Sequence, residues 1–113
     1  MLDVREYIDT AGRSPFTMWL RALNVQAAAK VATALERIAE GNLSNVKTVG
    51  NGVLEYKVDF GPGYRIYFGR DGDRLVIPLA DGMKKRQQED IRQAKANWEN
   101  YRNRKTQEKT RCH

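Results

Sequence analysis

The stretch that decides the fold is GVLEYKVDFGPGYRIYFGRDGDRLVIPLADGMKKRQQEDI, residues 52–91. Apolar and polar residues alternate in three of its segments, a pattern typical of β-strands with one buried face. Two turns separate these segments, Gly61-Pro62-Gly63 and Asp71-Gly72, and both are of the kind that joins antiparallel strands. We therefore predict three antiparallel strands, over 53–60, 64–70 and 74–80.

The flanking residues predict one more strand and three helices. Residues 2–8 alternate imperfectly, which indicates a first strand. Ser14-Pro15 is a typical helix start, and a short helix is expected to continue to about Asn24. A second helix follows almost at once and ends at Gly41-Asn42. A last helix, from about Lys85 to Arg104, carries one narrow apolar stripe: Ile91, Ala94, Trp98 and Tyr101.

At 113 residues, the chain is long enough for one compact domain with a modest core. We predict an α+β fold in which the helical hairpin packs on a small, mostly antiparallel sheet of four strands, in the order β-α-α-β-β-β-α. The domain is expected to span residues 1–101, and residues 102–113 to form a basic, disordered tail.

Histidine and cysteine occur only as His113 and Cys112, at the end of the chain. The sequence therefore predicts no disulfide, no Cys/His metal site and no catalytic group built on a nucleophile beside a histidine. No apolar run approaches the roughly 18 to 20 residues of a membrane span, and no segment has the form of a signal peptide. We expect a cytoplasmic protein that uses no cofactor and contacts no membrane.

The excess positive charge lies in the last part of the chain. Residues 1–83 contain ten Lys/Arg and ten Asp/Glu, whereas residues 84–113 contain ten and four, so the net charge of +6 comes from residues 84–113. A basic segment beside a neutral domain is typical of proteins that bind a polyanion, either nucleic acid or an acidic protein.

Strand alternation assigns side chains to two faces of the sheet. The apolar face, expected to pack against the helical hairpin, carries Tyr56, Val58, Phe60, Tyr64, Ile66, Phe68, Leu75, Ile77 and Leu79. The opposite face carries Glu55, Lys57, Asp59, Arg65 and Tyr67. It is either a solvated face with ion pairs of about a few tenths of a kcal/mol each or a binding surface. Pro78 has no amide hydrogen, so the last strand must contain a gap, a bulge or a free edge there.

Three cations that follow the last strand favour a binding surface: Lys84, Lys85 and Arg86. They stand at the start of a helix, where the partial positive charge of the helix makes cations unfavourable. A bound phosphate would remove this conflict, because helix starts and cations both bind anions. The three cations are expected to overhang Lys57 and Arg65, forming a cleft for single-stranded RNA in which Tyr67 stacks on a base.

The segment 52–82, GVLEYKVDFGPGYRIYFGRDGDRLVIPLADG, and the following KKRQQEDIRQAKANW resemble the RelE/ParE superfamily of toxins from type II toxin–antitoxin systems. Within it they look most like the HigB-like addiction module killer proteins, over about residues 1–98. The resemblance implies a RelE-like fold and a ribosome-dependent endoribonuclease, which cuts mRNA by attack of a ribose 2′-hydroxyl on the adjacent phosphate. It also implies a cognate antitoxin, commonly of the helix-turn-helix type, and an oligomer with itself or with that antitoxin.

Carried over residue by residue, the resemblance implies that Arg65 holds the phosphate and that Lys57 aids proton removal or neutralises charge. One or more of Lys84, Lys85 and Arg86 then stabilises the leaving side. Because no histidine is available, the base is Glu55, Asp59 or a lysine. Met83 stands where close relatives often carry an aspartate, which leaves the acid and base roles open.

Two other functions remain open at this point. A ParE-like toxin would use the same fold to poison DNA gyrase without hydrolysing a bond. A non-enzymatic RNA-binding module would use the basic face for binding alone, without arresting growth.

Overall fold

The computed structural model describes residues 2–44, 46–61, 63–81 and 86–111. Eight elements follow one another within these ranges: β1 (Asp3–Glu6), α1 (Pro15–Arg21), α2 (Val25–Ala39), β2 (Val46–Gly50), β3 (Val53–Val58), β4 (Tyr64–Asp71), β5 (Arg74–Asp81) and α3 (Gln87–Arg111). The α+β class predicted from the sequence is confirmed.

The strands form one sheet in the order β1-β5-β4-β3-β2. β1 runs parallel to β5, and the other neighbouring strands are antiparallel. A mostly antiparallel sheet is therefore confirmed. The predicted number of strands is wrong, because five strands pair and the chain order is β-α-α-β-β-β-β-α.

The additional strand, β2, pairs with β3 through a two-residue hairpin. Asn51 and Gly52 form the turn with φ of 56° and 80°, the backbone that a type I′ turn requires and that Asn-Gly favours. Gly50 and Val53 are the paired residues that close it. β2 is an edge strand with no fully buried residue, so it lacks the strong alternation that identifies the other strands. The Asn-Gly pair was the signal that could have predicted it.

The two predicted helices after β1 form, because side chains cap both helix starts. Ser14 Oγ accepts a hydrogen bond of 3.1 Å from the Thr17 amide, and Pro15 occupies the first turn of α1. Asn24 Oδ1 accepts one of 2.8 Å from the Ala27 amide at the start of α2. The chain therefore passes from one helix to the other over a few residues.

The hairpin and one face of the sheet form the larger core. Its buried members are Phe16, Val31, Ala34, Ile38, Tyr56, Val58, Ile66, Phe68, Leu75, Ile77 and Ala80. Trp19 links α1 to β4 through an edge-to-face contact with Tyr64, with 5.7 Å between the ring centroids. The strand residues of this core match the predicted apolar face, except that Ala80 takes the place predicted for Leu79.

That exception arises from a bulge in β5. Tyr67 pairs with Leu79, whereas Gly69 pairs with Val76, so two residues of β5 oppose one residue of β4. The predicted irregularity at Pro78 is confirmed. The extra residue reverses the alternation that follows it, and Leu79 packs on the opposite side of the sheet from the one predicted.

α3 covers that opposite side and forms a second core. Its buried members are Tyr7, Val53, Tyr67, Val76, Ala94 and Trp98. The indole of Trp98 lies directly over Gly69, where an added Cβ would stand 2.6 Å from three ring atoms. The absence of a side chain at Gly69 therefore sets how closely α3 approaches the sheet.

α3 continues to Arg111. Lys105 Nζ lies 2.5 and 2.6 Å from the two carboxylate oxygens of Asp71. The Arg104 guanidinium lies 5.3 Å from the centre of the Tyr7 ring. These contacts hold the helix against the sheet beyond residue 101. Within the described ranges, no helix combines the length and the apolarity that crossing a bilayer requires.

We expect Gly69→Ala to lower the free energy of unfolding by about 1–3 kcal/mol, because the new methyl group would overlap the Trp98 ring. In a protein that already carries Trp98→Ala, adding Gly69→Ala should lower the free energy of unfolding by less than about 0.5 kcal/mol, because the ring that the methyl group would overlap is absent. Urea unfolding of the four proteins measures both costs. Equal costs in the two backgrounds would contradict this explanation.

Candidate functional site

Three side chains on neighbouring strands form a row across one end of the sheet. Lys57 on β3 is the cross-strand partner of Arg65 on β4, and Arg65 is the partner of Asp81 at the end of β5. Residues directly opposite one another share a face of the sheet, with Cβ atoms about 4.5–5.5 Å apart. The row therefore brings together two predicted site residues and one carboxylate that was not predicted.

Arg65 is largely buried, with 8% of its surface exposed, and it faces a carboxylate that is more buried still. Its Nε lies 3.9 Å from Oε1 of Glu55, which is 3% exposed. Lys47 Nζ lies 3.4 Å from the same oxygen, and Gln87 Nε2 donates a hydrogen bond of 3.3 Å to Oε2. A carboxylate can be buried only when such partners surround it. Glu55 therefore connects β2, β4 and α3 to β3.

The other predicted site residues differ in their exposure. Lys57 and Asp59 are exposed at the end of β3 and just beyond it. Arg86 is exposed immediately before α3. Lys84 and Lys85 lie outside the described residues. The sheet face that carries Glu55, Lys57, Asp59, Arg65 and Tyr67 is therefore exposed only at its end, because α3 covers the part that carries Glu55.

Tyr67 is covered completely by α3, with an exposed fraction of 0%. Neither face of its ring is available to a base, so the structure does not offer the stacking surface that the sequence analysis expected. The hydroxyl is buried beside Glu55, although no hydrogen bond of standard geometry joins them. Burial first, and then the charge of Glu55, raise the pKa of Tyr67. The Tyr67 hydroxyl therefore stays protonated in this buried environment.

Two carboxyl groups that the sequence analysis missed complete the site. Asp81 ends β5, and Asp90 lies in the first turn of α3 with 5% of its surface exposed. Burial raises the pKa of Asp90 to about 7, with a hydrogen bond to Asp81 as the second cause. Two carboxyl groups can share a hydrogen bond only while one holds a proton. In the sequence, Asp90 had the ordinary appearance of an acidic residue at a helix start.

A groove of about 420 Å³ leads from the surface to Asp90. Arg86 and Arg92 line it from the start of α3, and Leu79 lines it from β5. Glu89 also lines the groove. The groove therefore combines two guanidinium groups with two carboxyl groups, one of which, Asp90, has a pKa raised to about 7. Such a surface can hold an anion and transfer a proton beside it.

The chain matches the family described as phage derived protein Gp49-like (DUF891) over residues 18–99, which is more than half of its length. The chain belongs to this family. It is also 41% identical over 81 residues to an uncharacterized protein of Haemophilus influenzae, strain Rd. The alignment covers 71% of this chain and 82% of that relative. The Gp49-like family is a toxin-like addiction module family.

The residues that match the Gp49-like family include the whole of the candidate site. Lys57, Arg65, Asp81 and Asp90 all lie between residues 18 and 99. β1 and the last turns of α3 lie outside the match. The candidate site is therefore built from the part of the chain that defines its family.

The raised pKa of Asp90 predicts how stability depends on pH. The folded protein holds a proton on Asp90 up to about pH 7, whereas an unfolded aspartate releases it near its ordinary value of about 3.9. The free energy of unfolding should therefore fall as pH rises between these values. Asp90→Asn has no carboxyl group to ionise. The free energy of unfolding of this variant minus that of the unsubstituted protein should therefore rise between pH 4.5 and pH 8 by at least about 1.4 kcal/mol, the equivalent of one pKa unit.

Urea unfolding at several pH values tests this expectation. Asp73→Asn is the matched control, because Asp73 is exposed in the turn before β5. Its stability should follow that of the unsubstituted protein at every pH. If Asp90→Asn did the same, Asp90 would not hold the proton.

Proposed function

We propose that this Gp49-like protein is the toxin of a type II toxin–antitoxin system and that it acts as a ribosome-dependent mRNA endoribonuclease of the RelE/ParE superfamily, close to the HigB-like group. The observation that carries the proposal is the pairing of Lys57 with Arg65 at the end of the sheet where Asp81 of β5 meets Asp90 of α3. Fixed cations and a titrating carboxyl pair are the groups that this reaction needs.

In the proposed reaction, the ribose 2′-hydroxyl attacks the adjacent phosphate and the 5′-oxygen leaves. Negative charge develops on the phosphate oxygens, and cations fixed beforehand stabilise it at little cost of reorganisation. Arg65 is held by Glu55 and by burial, so it is preorganised to bind the phosphate. Lys57 is exposed next to it and is placed to neutralise charge or to aid removal of the proton.

Proton transfer is assigned to the Asp81–Asp90 pair. A general base works best when its pKa lies near the operating pH, and the pair contains a carboxyl group with a pKa of about 7. Asp81 is directly opposite Arg65, which brings the pair to the phosphate that Arg65 would hold. Glu55 is buried and engaged by Lys47, Arg65 and Gln87, so we assign it the role of holding Arg65.

The leaving side is assigned to the cations at the start of α3. Arg86 and Arg92 line the groove that reaches Asp90, and Lys84 and Lys85 precede Arg86 in the sequence. Beyond the reaction itself, we propose a cytoplasmic toxin that uses no cofactor. Its partners would be the ribosome with mRNA and a cognate antitoxin, commonly a helix-turn-helix protein, with which it forms an oligomer.

Replacing the paired cations should abolish most cleavage. Lys57→Ala removes an exposed cation, and Arg65→Lys keeps a charge beside Glu55 but loses the planar guanidinium. Each should lower the cleavage rate by about 10²–10³-fold, the usual effect of removing one group that stabilises the transition state. The measurement is the initial rate of mRNA cleavage on programmed ribosomes, followed by primer extension. Arg70→Ala, an exposed cation at the other end of β4, is the matched control and should keep full activity.

Expression in cells separates this function from its rivals. The nuclease predicts growth arrest with fragmented transcripts, which the antitoxin gene relieves. Growth arrest with intact transcripts and a DNA-damage response would identify a gyrase poison. RNA binding without growth arrest would indicate a non-enzymatic module. Either of the last two results would refute the proposal.

A further inference from the structure

A second basic groove lies at the opposite end of the sheet from the row of Lys57, Arg65 and Asp81. It has a volume of about 330 Å³ and is formed by β1, the start of β5 and the last turns of α3. Four cations and one carboxylate line it: Arg5, Arg74, Arg104, Lys105 and Glu6. The Glu6 carboxylate accepts a hydrogen bond from the Thr17 hydroxyl. Arg74 and Asp81 are the two ends of β5, which places them about 23 Å apart at about 3.3 Å per residue. The groove shares no residue with the proposed nuclease site.

Carboxylates neutralise part of this positive charge. Asp3 lies 2.8 Å from Nε of Arg5 and 3.9 Å from Nε of Arg74. Asp71 lies 2.5 Å from Nζ of Lys105, and this contact holds the pKa of Asp71 below its ordinary value. The Asp3 carboxylate is therefore shared by two arginines, and the Asp71 carboxylate is engaged by Lys105 and by the Tyr101 hydroxyl.

Arg104 forms no salt bridge with a carboxylate in the part of the chain that the structure describes. Its guanidinium lies over the ring of Tyr7 and donates a hydrogen bond to the carbonyl of Ile8. Its Nε is buried without an acceptor. These contacts fix the side chain before a ligand arrives, which lowers the entropy cost of binding. A carboxylate is the ligand that matches the fork of a guanidinium.

The groove also has an apolar rim and borders a sheet edge. Ile8 is 40% exposed at this rim, and Tyr101 adds aromatic surface on the α3 side. β1 is the last strand of the sheet on this side, and edge strands accept extended peptides through backbone hydrogen bonds. An RNA backbone would use the cations but neither Ile8 nor the strand edge. A protein segment uses all three features.

We propose that this groove binds an extended acidic segment of a partner protein, with carboxylates on Arg5 and Arg104 and an apolar side chain against Ile8. Arg5 and Arg104 lie outside the residues that match the Gp49-like family, whereas Arg74 lies within them. Because the groove lies far from Arg65, a short segment bound there leaves the proposed nuclease site open.

Fluorescence anisotropy on the full chain tests the proposal. The probe is a fluorescein-labelled peptide in which glutamate alternates with leucine, and its copy with glutamine in place of every glutamate is the matched ligand. We expect the acidic peptide to bind and the glutamine copy to bind at least about tenfold more weakly. Arg104→Gln and Arg5→Gln should each weaken the acidic peptide by about tenfold, the loss expected for one charge-assisted hydrogen bond.

Arg102→Gln is the matched control variant, because it removes the same charge from an exposed position on the same helix outside the groove. It should change affinity by less than about twofold. Arg5 has a mostly exposed side chain, so Arg5→Gln separates a binding defect from a folding defect if Arg104→Gln is unstable by circular dichroism. Neither Arg5→Gln nor Arg104→Gln is expected to lose mRNA cleavage. Peptide binding is measured independently of cleavage, so failure of the nuclease proposal would leave the peptide result unaffected.

Four results would overturn the inference. The first is no peptide binding at millimolar concentration. The second is equal binding of the glutamine copy. The third is equal weakening by Arg102→Gln. The fourth combines two observations: labelled single-stranded oligouridine displaces the peptide, and Arg104→Gln lowers the affinity of the protein for that oligouridine. Together they would assign the groove to RNA.

Discussion

The contact of the Trp98 indole with Gly69 fixes where α3 lies on the sheet, and most of the functional geometry depends on that position. A side chain on Gly69 would overlap the ring, so the helix approaches β4 closely at this point. One end of α3 then reaches Glu55 through Gln87 and brings Asp90 to Asp81. The other end carries Arg104 and Lys105 to β1 and the β4–β5 turn.

The cost of burying charge explains the composition of the proposed nuclease site. Glu55 and Arg65 are both removed from water, and each would be strongly destabilising alone. Together, with Lys47 and Gln87 at the carboxylate, they form a cluster that holds the guanidinium in a fixed position. A preorganised cation of this kind stabilises developing charge better than a mobile one does. Lys57, next to this cluster, is the exposed group of the row.

The carboxyl pair formed by Asp81 at the end of β5 and Asp90 at the start of α3 contains a group whose pKa lies in the range usual for histidine. Histidine is the side chain that ordinarily titrates near neutral pH, and here it occurs only at the last residue of the chain. Burial of Asp90 beside Asp81 moves a carboxyl group into the same range. The two ends of β5 thus carry different chemistry: a proton-sharing acid pair at Asp81 and a basic groove at Arg74.

The sequence by itself determined the α+β class, the two helices that follow β1, the strands β3 to β5, the irregularity at Pro78 and the placement of Lys57 and Arg65 on one face of the sheet. These features follow from local rules, since caps, turns and alternation act over a few residues. β2 was missed because an exposed edge strand needs no alternation, although Asn51-Gly52 marked its turn. Only the tertiary structure decided that α3 buries Tyr67 and Glu55, that Leu79 changes sides, and that Asp81 meets Asp90. In these three cases, burial and charge pairing depend on residues that are far apart in the chain. A sequence pattern over a few residues does not predict which helix covers which face of a sheet.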